Sequence, residues 1–263
     1  MLREKGWALI TGASSGIGKE IAKCFAQDGI PVILVARRLE RLEALGDELS
    51  ERYSVETQVK CVDLSRPDAP EALFQWVAEK EIQVDYLVNN AGIGVFGRFF
   101  ESDWQALWAS MQINMMALTE LTYRFGRLMV DRGFGRILNV ASTAAYQPGP
   151  WMAVYFATKA YVLWFSEALD EELRDSGVRV TALCPGATET EFQARAQMER
   201  SRFVHRRLAF MTAAAVARKG YEGMKRGRRV VITGLLNRLM VYSTRIIPRR
   251  LTTRLSKWVM EPE

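Results

Sequence analysis

Short runs of β-branched and other apolar residues alternate with longer segments of helical periodicity along most of the 263-residue chain. Each intervening segment is long enough to hold a crossover helix. Strands joined in this way pair in parallel, because each helix returns the chain to the same end of the sheet. The pattern therefore predicts an α/β fold with a doubly wound, seven-stranded parallel sheet. The predicted strands are Trp7–Thr11, Pro31–Ala36, Thr57–Val62, Asp85–Asn89, Arg136–Ser142, Val178–Cys184 and Arg229–Thr233.

A single domain, residues 1–263, is expected, since no internal repeat, low-complexity tract or Pro/Gly/Ser-rich linker interrupts the pattern. The charged start and the absence of any run of about 18 apolar residues predict neither a secretory peptide nor a transmembrane helix, so a cytoplasmic location is expected. Cys24, Cys61 and Cys184 are expected to be reduced core thiols. The only histidine, His205, leaves no Ser-His-Asp triad and no His-rich metal site, and no metal is required.

The net charge of +6 is unevenly distributed along the chain. Residues 1–194 hold 19 Lys+Arg and 26 Asp+Glu, whereas residues 195–263 hold 17 and 4. The basic character therefore belongs to the last quarter of the chain. A nucleic-acid-binding surface across the whole protein is not expected.

A glycine-rich turn, Thr11–Gly18, follows the first predicted strand and leads into a helix. Glycines at such a turn let the backbone approach a pyrophosphate, and the helix N-terminus supplies free N–H groups and positive potential. The spacing G-x-x-x-G-x-G departs from the common G-x-G-x-x-G fingerprint. A tight turn without a ligand would explain the glycines equally well. The residues expected to contact the nucleotide are Gly12, Ser14, Ser15, Gly16, Ile17 and Gly18.

The ends of the next predicted strands supply the remaining nucleotide contacts. Ala36 stands where an acidic residue would bind the adenosine ribose, and Arg37 and Arg38 follow it. Guanidinium groups suit a 2′-phosphate, so NADPH is favoured over NADH, with Arg37 as the first choice of ligand. The alternative is that arginines here only solvate the next helix. Residues expected beside the adenine and ribose are Asp63, Leu64, Asn90, Ala91 and Gly92.

Tyr155 and Lys159 are four residues apart in a predicted helix that begins near Val154, so their side chains share one face. A fixed ammonium favours the phenolate and would lower the tyrosine pKa toward the working range of an acid or base. Such a pair on a surface helix often has no chemical role. The other motifs decide between these interpretations.

The combination of motifs resembles the short-chain dehydrogenase/reductase family over about residues 6–190. The residues that carry the resemblance are Thr11–Gly18, Asp63, Asn89–Gly92, Asn114, Ser142, Tyr155, Lys159, Pro185, Gly186, Thr188 and Thr190. The resemblance implies a Rossmann fold, nicotinamide-dependent oxidoreduction of a carbonyl or alcohol, and a homodimer or homotetramer.

The resemblance also implies a role for each matched residue. Ser142 would orient the substrate oxygen, and Tyr155 would donate or accept the proton. Lys159 would hold the nicotinamide ribose and lower the tyrosine pKa, while Asn114 would anchor a water relay behind it. The segment with Pro185, Gly186, Thr188 and Thr190 would hold the nicotinamide carboxamide.

The segment from about Ala187 to Gly220 falls where the family places a helical substrate lid. Its aromatic residues suit an apolar substrate, and its arginines suit an acidic handle such as a phosphopantetheine carrier or coenzyme A. A helix with a solvated basic face, which would also carry His205, explains the same composition and is the preferred interpretation. The residues concerned are Phe192, Phe203, Phe210, Arg195, Arg200, Arg202, Arg206 and Arg207.

The C-terminal stretch 235–263 is a basic amphipathic tail. Its apolar residues recur near helical spacing on both sides of Pro248, with six arginines and lysines between them. Such a pair of helices could contact an anionic membrane surface peripherally. Packing against its own domain or a partner subunit explains the same stripe and is preferred.

The sequence therefore predicts an NADPH-dependent carbonyl reductase acting on a hydrophobic or acyl-linked ketone or aldehyde, with Tyr155 as general acid/base. The first alternative is an NAD-dependent alcohol or steroid dehydrogenase, against which Arg37 and the missing acid at Ala36 argue. The second is a non-catalytic nucleotide-sensing scaffold. Such a protein is expected to have lost the serine, tyrosine or lysine, and this chain retains Ser142, Tyr155 and Lys159.

Overall fold

The structure, a computed structural model, describes residues 6–198, 201–202 and 210–262. Within them the strands are β1 Trp7–Thr11, β2 Val32–Ala36, β3 Thr57–Cys61, β4 Val84–Asn89, β5 Gly135–Val140, β6 Val178–Cys184, β7 Thr188–Glu189, β8 Met211–Thr212 and β9 Val230–Ile232. Seven of these form one parallel sheet in the order β3-β2-β1-β4-β5-β6-β9, and β7 pairs with β8 beside it. The predicted seven-stranded Rossmann sheet is confirmed.

Helices connect the strands and lie on both faces of the sheet. They are α1 Gly16–Gln27, α2 Leu39–Tyr53, α3 Ala69–Glu79, α4 Trp104–Met111, α5 Leu118–Asp131, α6 Ala153–Glu172, α7 Phe192–Arg195, α8 Ala213–Lys225, α9 Leu235–Ser243 and α10 Arg249–Met260. A π-helical turn, Gln112–Ala117, joins α4 to α5, and short 3₁₀ turns cover Phe99–Glu101 and Thr143–Tyr146.

The predicted strand ends lie within two residues of the observed ones. β2 begins at Val32 and not at Pro31, since proline has no N–H to donate to the sheet. β5 ends at Val140, before Ser142, because the Ser142 side chain caps the following 3₁₀ turn and accepts from the Ala144 N–H at 3.1 Å.

Consecutive residues of the central strands fill two separate cores. Ile10 and Leu34 point to one face, where they belong to the cluster that includes Phe25 of α1. Leu9 and Ile33 point to the other face, in the cluster that includes Phe125 of α5. Strands buried on both faces explain the nearly continuous apolar runs in the sequence.

Polar side chains fix the long helix α6 against the sheet. Asn139 on β5 donates to Ser166 Oγ at 3.0 Å, and both side chains are buried. Near the helix end, Asp170 accepts two hydrogen bonds from Arg179 on β6, each at 2.8 Å. These contacts set the position of the helix that carries Tyr155 and Lys159.

The two C-terminal helices turn apolar side chains outward. In α9 the buried residues are Asn237 and Val241, while Leu235 and Leu239 are 70% and 58% exposed. The apolar stripe of this helix is therefore not covered by its own domain, and of the preferred interpretation only packing on a partner subunit stays a prediction for this helix. Among the described residues, no helix combines the length and the hydrophobicity needed to cross a membrane.

The orientation of α10 follows from its last residue. Met260 is buried in a cluster with Met152 and Phe156. Because each residue turns a helix by about 100°, Leu251 and Leu255 then point away from the domain, whereas the Trp258 ring lies 5.8 Å from the Arg202 guanidinium. Leu251, Leu255 and Trp258 are 44–49% exposed, and the inward face carries Thr252 and Ser256.

The cysteines differ from the prediction at one position. Cys184 is buried and Cys24 is half-buried, but Cys61 is exposed. Cys61 ends β3, which lies at the edge of the sheet, so one side of this strand has no neighbour to cover it. All three are free thiols.

Candidate active site

A cavity of about 500 Å³ lies beyond the carboxyl ends of the central strands. Its walls come from the segments that follow β1, β2, β3, β4 and β6 and from α6. The connections from β1 and β4 leave the sheet in opposite directions, since β2 and β5 lie on opposite sides of this pair. In open α/β sheets the crevice at such a switch point is where ligands bind.

The glycine turn is held against the end of β4. Gly12 has φ +66° and Gly16 has φ +57°, values that favour glycine. Asn90 Nδ2 donates to the Thr11 and Gly12 carbonyl oxygens at 2.9 and 3.2 Å. A Cβ on Gly12 would lie 2.7 Å from Asn90 Nδ2 and 3.0 Å from Ala91 Cα. The backbone of the glycine turn therefore carries no side chain at Gly12 and lies close to the cavity.

The N-terminus of α1 opens onto the same end of the cavity. Its N-cap residue, Ser15, makes no side-chain capping bond, and the first turn holds no acidic residue. The free N–H groups and the helix dipole favour an anion there. Both observations fit the pyrophosphate of a dinucleotide.

Two arginines after β2 are arranged differently. Arg37 is exposed at the cavity rim. Arg38 is half-buried and donates to Ser14 Oγ at 3.0 and 3.3 Å and to Glu191 at 2.9 Å. Arg41 also binds Glu191, at 2.5 Å. The prediction favoured Arg37 as phosphate ligand, but Arg38 has the fixed position beside the glycine turn.

Two further parts of the cavity wall come from the segments that follow β3 and β4. Asp63 Oδ1 accepts from the Ser65 backbone N–H at 3.1 Å and from its hydroxyl at 2.8 Å, which holds the loop after β3. Leu64 is buried beside it and lines the cavity. A Cβ on Gly92 would lie 3.3 Å from Asn114 Oδ1 and 3.4 Å from Lys159 Nζ. Gly92 therefore lies directly against the predicted catalytic side chains.

Tyr155 and Lys159 lie one turn apart on α6 and both line the cavity. Lys159 is 4% exposed and its ammonium donates to the Val140 carbonyl oxygen at 2.7 Å. Lys159 Nζ is 5.8 Å from the centre of the Tyr155 ring. The predicted pairing on one face is observed.

Burial dominates the pKa values of the pair. It raises the pKa of Tyr155 to about 12, against a smaller lowering by the hydrogen bond from Ser142. Burial also lowers the pKa of Lys159 to about 8. The expected net lowering of the tyrosine pKa is therefore not observed, because the cost of burying the phenolate exceeds the favourable contacts.

Asn114 lies in the π-helical turn, which is wider than an α-helix and often marks functional sites. Its Oδ1 accepts from the Ile93 N–H at 3.0 Å, and its Nδ2 donates to the Ile93 carbonyl at 2.9 Å and to Thr158 Oγ1 at 3.0 Å. The side chain is buried behind Gly92. It joins the segment after β4 to the helix that carries Tyr155.

Apolar side chains surround the Tyr155 end of the cavity. The Phe192 ring centre is 5.1 Å from that of Tyr155, and Met152 and Phe156 complete a buried cluster beside it. Trp151 stacks on Phe96 at 5.8 Å and has φ +70°, a value that a bulky residue rarely adopts. Such strain is often found at ligand sites.

Most of the sequence-predicted residues line the cavity. These are Gly12, Ser14, Ser15, Gly16, Ile17, Arg37, Arg38, Asp63, Leu64, Asn90, Ala91, Gly92, Tyr155, Lys159, Pro185, Thr188 and Thr190. Asn114 is buried behind the wall, and Ser142 is half-buried beside Tyr155, to which it is hydrogen-bonded. Gly18 and Gly186 are not lining residues either; a Cβ on them would clash with Asn90 and Asn237, so they serve close packing.

Part of the predicted lid lies outside the described residues, namely Arg200, Phe203, His205, Arg206 and Arg207. Sequence reasoning also missed residues that the structure brings to the site, above all Glu191, Gly94 and Trp151. For Glu191 the available signal was an acidic residue directly after Thr190. A Cβ on Gly94 would lie 2.7 Å from Met152 and 2.9 Å from Phe192, which leaves room only for glycine.

Comparisons with known proteins were made for the sequence and for the fold. The family model described as short chain dehydrogenase matches residues 6–201. The 7beta-hydroxysteroid dehydrogenase of Collinsella aerofaciens is 32% identical over 191 residues, which cover 72% of each chain. The sulfoacetaldehyde reductase of Chromohalobacter salexigens is 39% identical over 185 residues, which cover 70% of this chain and 72% of that one.

A solved structure supports the same grouping. A short-chain dehydrogenase from Sphingobium yanoikuyae, determined in complex with NADPH, superimposes with a TM-score of 0.82 at 33% identity. The match covers 92% of this chain and 93% of that one.

Proposed function

The chain belongs to the short-chain dehydrogenase/reductase family, and on that premise we propose that it is an NADPH-dependent carbonyl reductase with Tyr155 as general acid. It is an enzyme that acts on CH–OH or C=O groups with a nicotinamide cofactor. The finer proposal concerns the direction of the reaction, the choice of cofactor and the class of substrate.

One observation carries the proposal. Tyr155, hydrogen-bonded by Ser142, lies among apolar side chains at one end of a cavity whose other end holds a bare helix N-terminus and two arginines. The polar end fits a nucleotide with several phosphates, and the apolar end fits a reacting carbonyl.

The side chains of this site suit a reduction. A bound nicotinamide supplies the hydride for the carbonyl carbon. Tyr155 then donates its proton to the carbonyl oxygen, on which negative charge develops, while the Ser142 hydroxyl donates a hydrogen bond to the same oxygen. Burial raises the pKa of Tyr155, so the phenol carries the proton to be donated at neutral pH, while the hydrogen bond from Ser142 acts in the opposite direction. Lys159 donates to the Val140 carbonyl oxygen at the end of β5, and Asn114 donates to the Ile93 carbonyl oxygen after β4. These two hydrogen bonds fix the backbone beside Tyr155.

Arginines support NADPH as the cofactor. No acidic residue follows β2 to accept the ribose hydroxyls, and Arg37 and Arg38 both line this part of the cavity. The solved relative was determined with NADPH bound. The remaining cofactor contacts are proposed as predicted, with Pro185, Thr188 and Thr190 beside the nicotinamide.

The apolar surroundings of Tyr155 support a hydrophobic or acyl-linked ketone or aldehyde. Phe192, Met152 and Phe96 belong to the cluster next to its ring. We assign the segment that begins at Ala187 as the substrate lid, since its Phe192 already covers the proposed catalytic tyrosine. The predicted end of the lid at Gly220 is wrong, because Val216 and Ala217 of α8 are buried in the core with Phe25. Oxidation of a hydroxysteroid is the second candidate, favoured by the 7beta-hydroxysteroid dehydrogenase relative.

Exposed aromatic residues on neighbouring helices support a homodimer or homotetramer. Trp108 on α4, Tyr123 on α5 and Trp164 on α6 are 47%, 67% and 70% exposed. Burying them against a second copy would remove this apolar area from water. A monomer in sedimentation equilibrium at micromolar concentration would contradict the assignment.

The outward apolar faces of α9 and α10 support peripheral contact with an anionic membrane through residues 235–263. Around α10, Arg250, Arg254 and Lys257 lie beside the exposed Leu251 and Leu255. This combination of an apolar stripe and a basic flank is typical of helices that lie in a lipid interface.

The reductase proposal is tested by NADPH oxidation against ketones, aldehydes, steroids and 3-oxoacyl thioesters, with NADH as the control. We expect turnover of at least one bulky apolar carbonyl, with kcat/KM for NADPH at least tenfold above that for NADH, about 1.4 kcal/mol of discrimination. Equal or better rates with NADH would overturn the cofactor assignment, and no reduction across the panel would overturn the reductase assignment.

A further inference from the structure

Glu191 joins the adenosine end of the cavity to the segment after β6. Its carboxylate accepts from Arg38 at 2.9 Å and from Arg41 at 2.5 Å, and it also pairs with Arg195. Arg38 at the same time donates to Ser14 on the glycine turn. The carboxylate therefore lies against Arg38, one of the two arginines that line this end of the cavity and are proposed to bind a 2′-phosphate.

This carboxylate is an anion under all ordinary conditions. The hydrogen bond from Arg41, followed by those from Arg38 and the surrounding positive charge, lowers the pKa of Glu191 to about 2. Its side chain is 41% exposed, so water and salt partly screen the interaction. No titration near neutral pH can remove the charge.

We propose that Glu191 is a specificity-determining residue that competes with the 2′-phosphate of NADP(H) for Arg38. The proposal rests on the cofactor preference proposed above. A phosphate and a carboxylate cannot both take the same guanidinium donors, and two anions held close together repel each other. Glu191 thus reduces the advantage of NADPH over NADH below what the arginines alone would give.

The same contact connects the two ends of the cavity. Glu191 precedes Phe192, whose ring packs on Tyr155. When the 2′-phosphate displaces the carboxylate from Arg38, the segment that carries Phe192 loses one of its ion pairs across the cavity.

The test compares 2′,5′-ADP with 5′-AMP by isothermal titration calorimetry on the full chain. Glu191→Gln removes the charge but keeps the size of the side chain. We expect it to tighten 2′,5′-ADP binding about fivefold to tenfold and to change 5′-AMP binding less than about twofold. Glu189→Gln is the matched control, since Glu189 is exposed, lies two residues away and forms no ion pair among the described residues. It should change neither affinity.

Three results would overturn the proposal: weaker 2′,5′-ADP binding by Glu191→Gln, an equal gain for both ligands, or the same gain in Glu189→Gln. Thermal unfolding of each variant separates a loss of fold from a loss of binding. The proposed NADPH preference can fail separately from the competition by Glu191, because that preference is measured on the wild type alone. If the wild type binds the two ligands equally and Glu191→Gln prefers 2′,5′-ADP, the NADPH preference fails while competition by Glu191 stands.

Discussion

At the scale of single residues, the glycine turn shows what a sequence can predict and what it cannot. Gly12 and Gly16 stand at a strand-to-helix turn that needs positive φ, and local spacing alone identifies them. Glu191 meets Arg41 across a separation of 150 residues. Only the folded sheet, which places the ends of β2 and β6 on one cavity, reveals that pairing.

Gly12→Ala should lose affinity for the nucleotide as well as stability. An alanine there adopts a left-handed conformation at a cost of about 1–2 kcal/mol, and its Cβ also presses on Asn90 and Ala91. Gly133→Ala is the matched control, with φ +67° and no atom within 4 Å of the new Cβ. We expect both variants to lose thermal stability, Gly12→Ala more because of the added clash, and at least about a tenfold weaker NADPH affinity only for Gly12→Ala. Equal NADPH affinities in the two variants would contradict the account of the turn.

At the scale of elements, periodicity predicted the seven main strands but not every element. The pair β7 and β8 has two residues in each strand, too few to show alternation. The direction of the tail helices was also not predictable, because an amphipathic pattern does not say which face turns inward. In α10 the burial of Met260 decides this, and the apolar residues Leu251 and Leu255 face outward.

The exposed stripe of α10 should mediate binding to anionic vesicles. We expect the wild type to sediment with vesicles containing phosphatidylserine and much less with pure phosphatidylcholine, since basic and apolar groups act together. Leu251→Ser combined with Leu255→Ser should reduce the bound fraction severalfold, because each exposed leucine contributes about 1–2 kcal/mol of apolar burial. Phe100→Ser is the control, as Phe100 is 97% exposed elsewhere on the molecule. Failure of the wild type to bind, or equal binding by the double variant, would contradict the membrane proposal.

At the scale of the whole molecule, the chain brings its reaction site and its tail together. Met260, near the C-terminus, belongs to the same apolar cluster as Tyr155 and Phe192. If the membrane proposal and the proposed role of Tyr155 hold, a substrate from an apolar surface would meet Tyr155 close to where α10 is anchored. The segments after β1 and β4 that line the cavity were readable in sequence because each directly follows a predicted strand. The substrate pocket was less readable, since its walls come from segments without a repeating pattern.

The central claim, proton donation by Tyr155, is tested most directly by the Tyr155→Phe variant. We predict that kcat for the best ketone with NADPH falls by about 10²–10⁴-fold, while the dissociation constant for NADPH changes less than about threefold. Tyr161 lies on the same helix as Tyr155, and Tyr161→Phe removes an exposed hydroxyl that is paired with Thr119 of α5, so both values should stay unchanged. Turnover by Tyr155→Phe within a few-fold of the wild type would contradict the account.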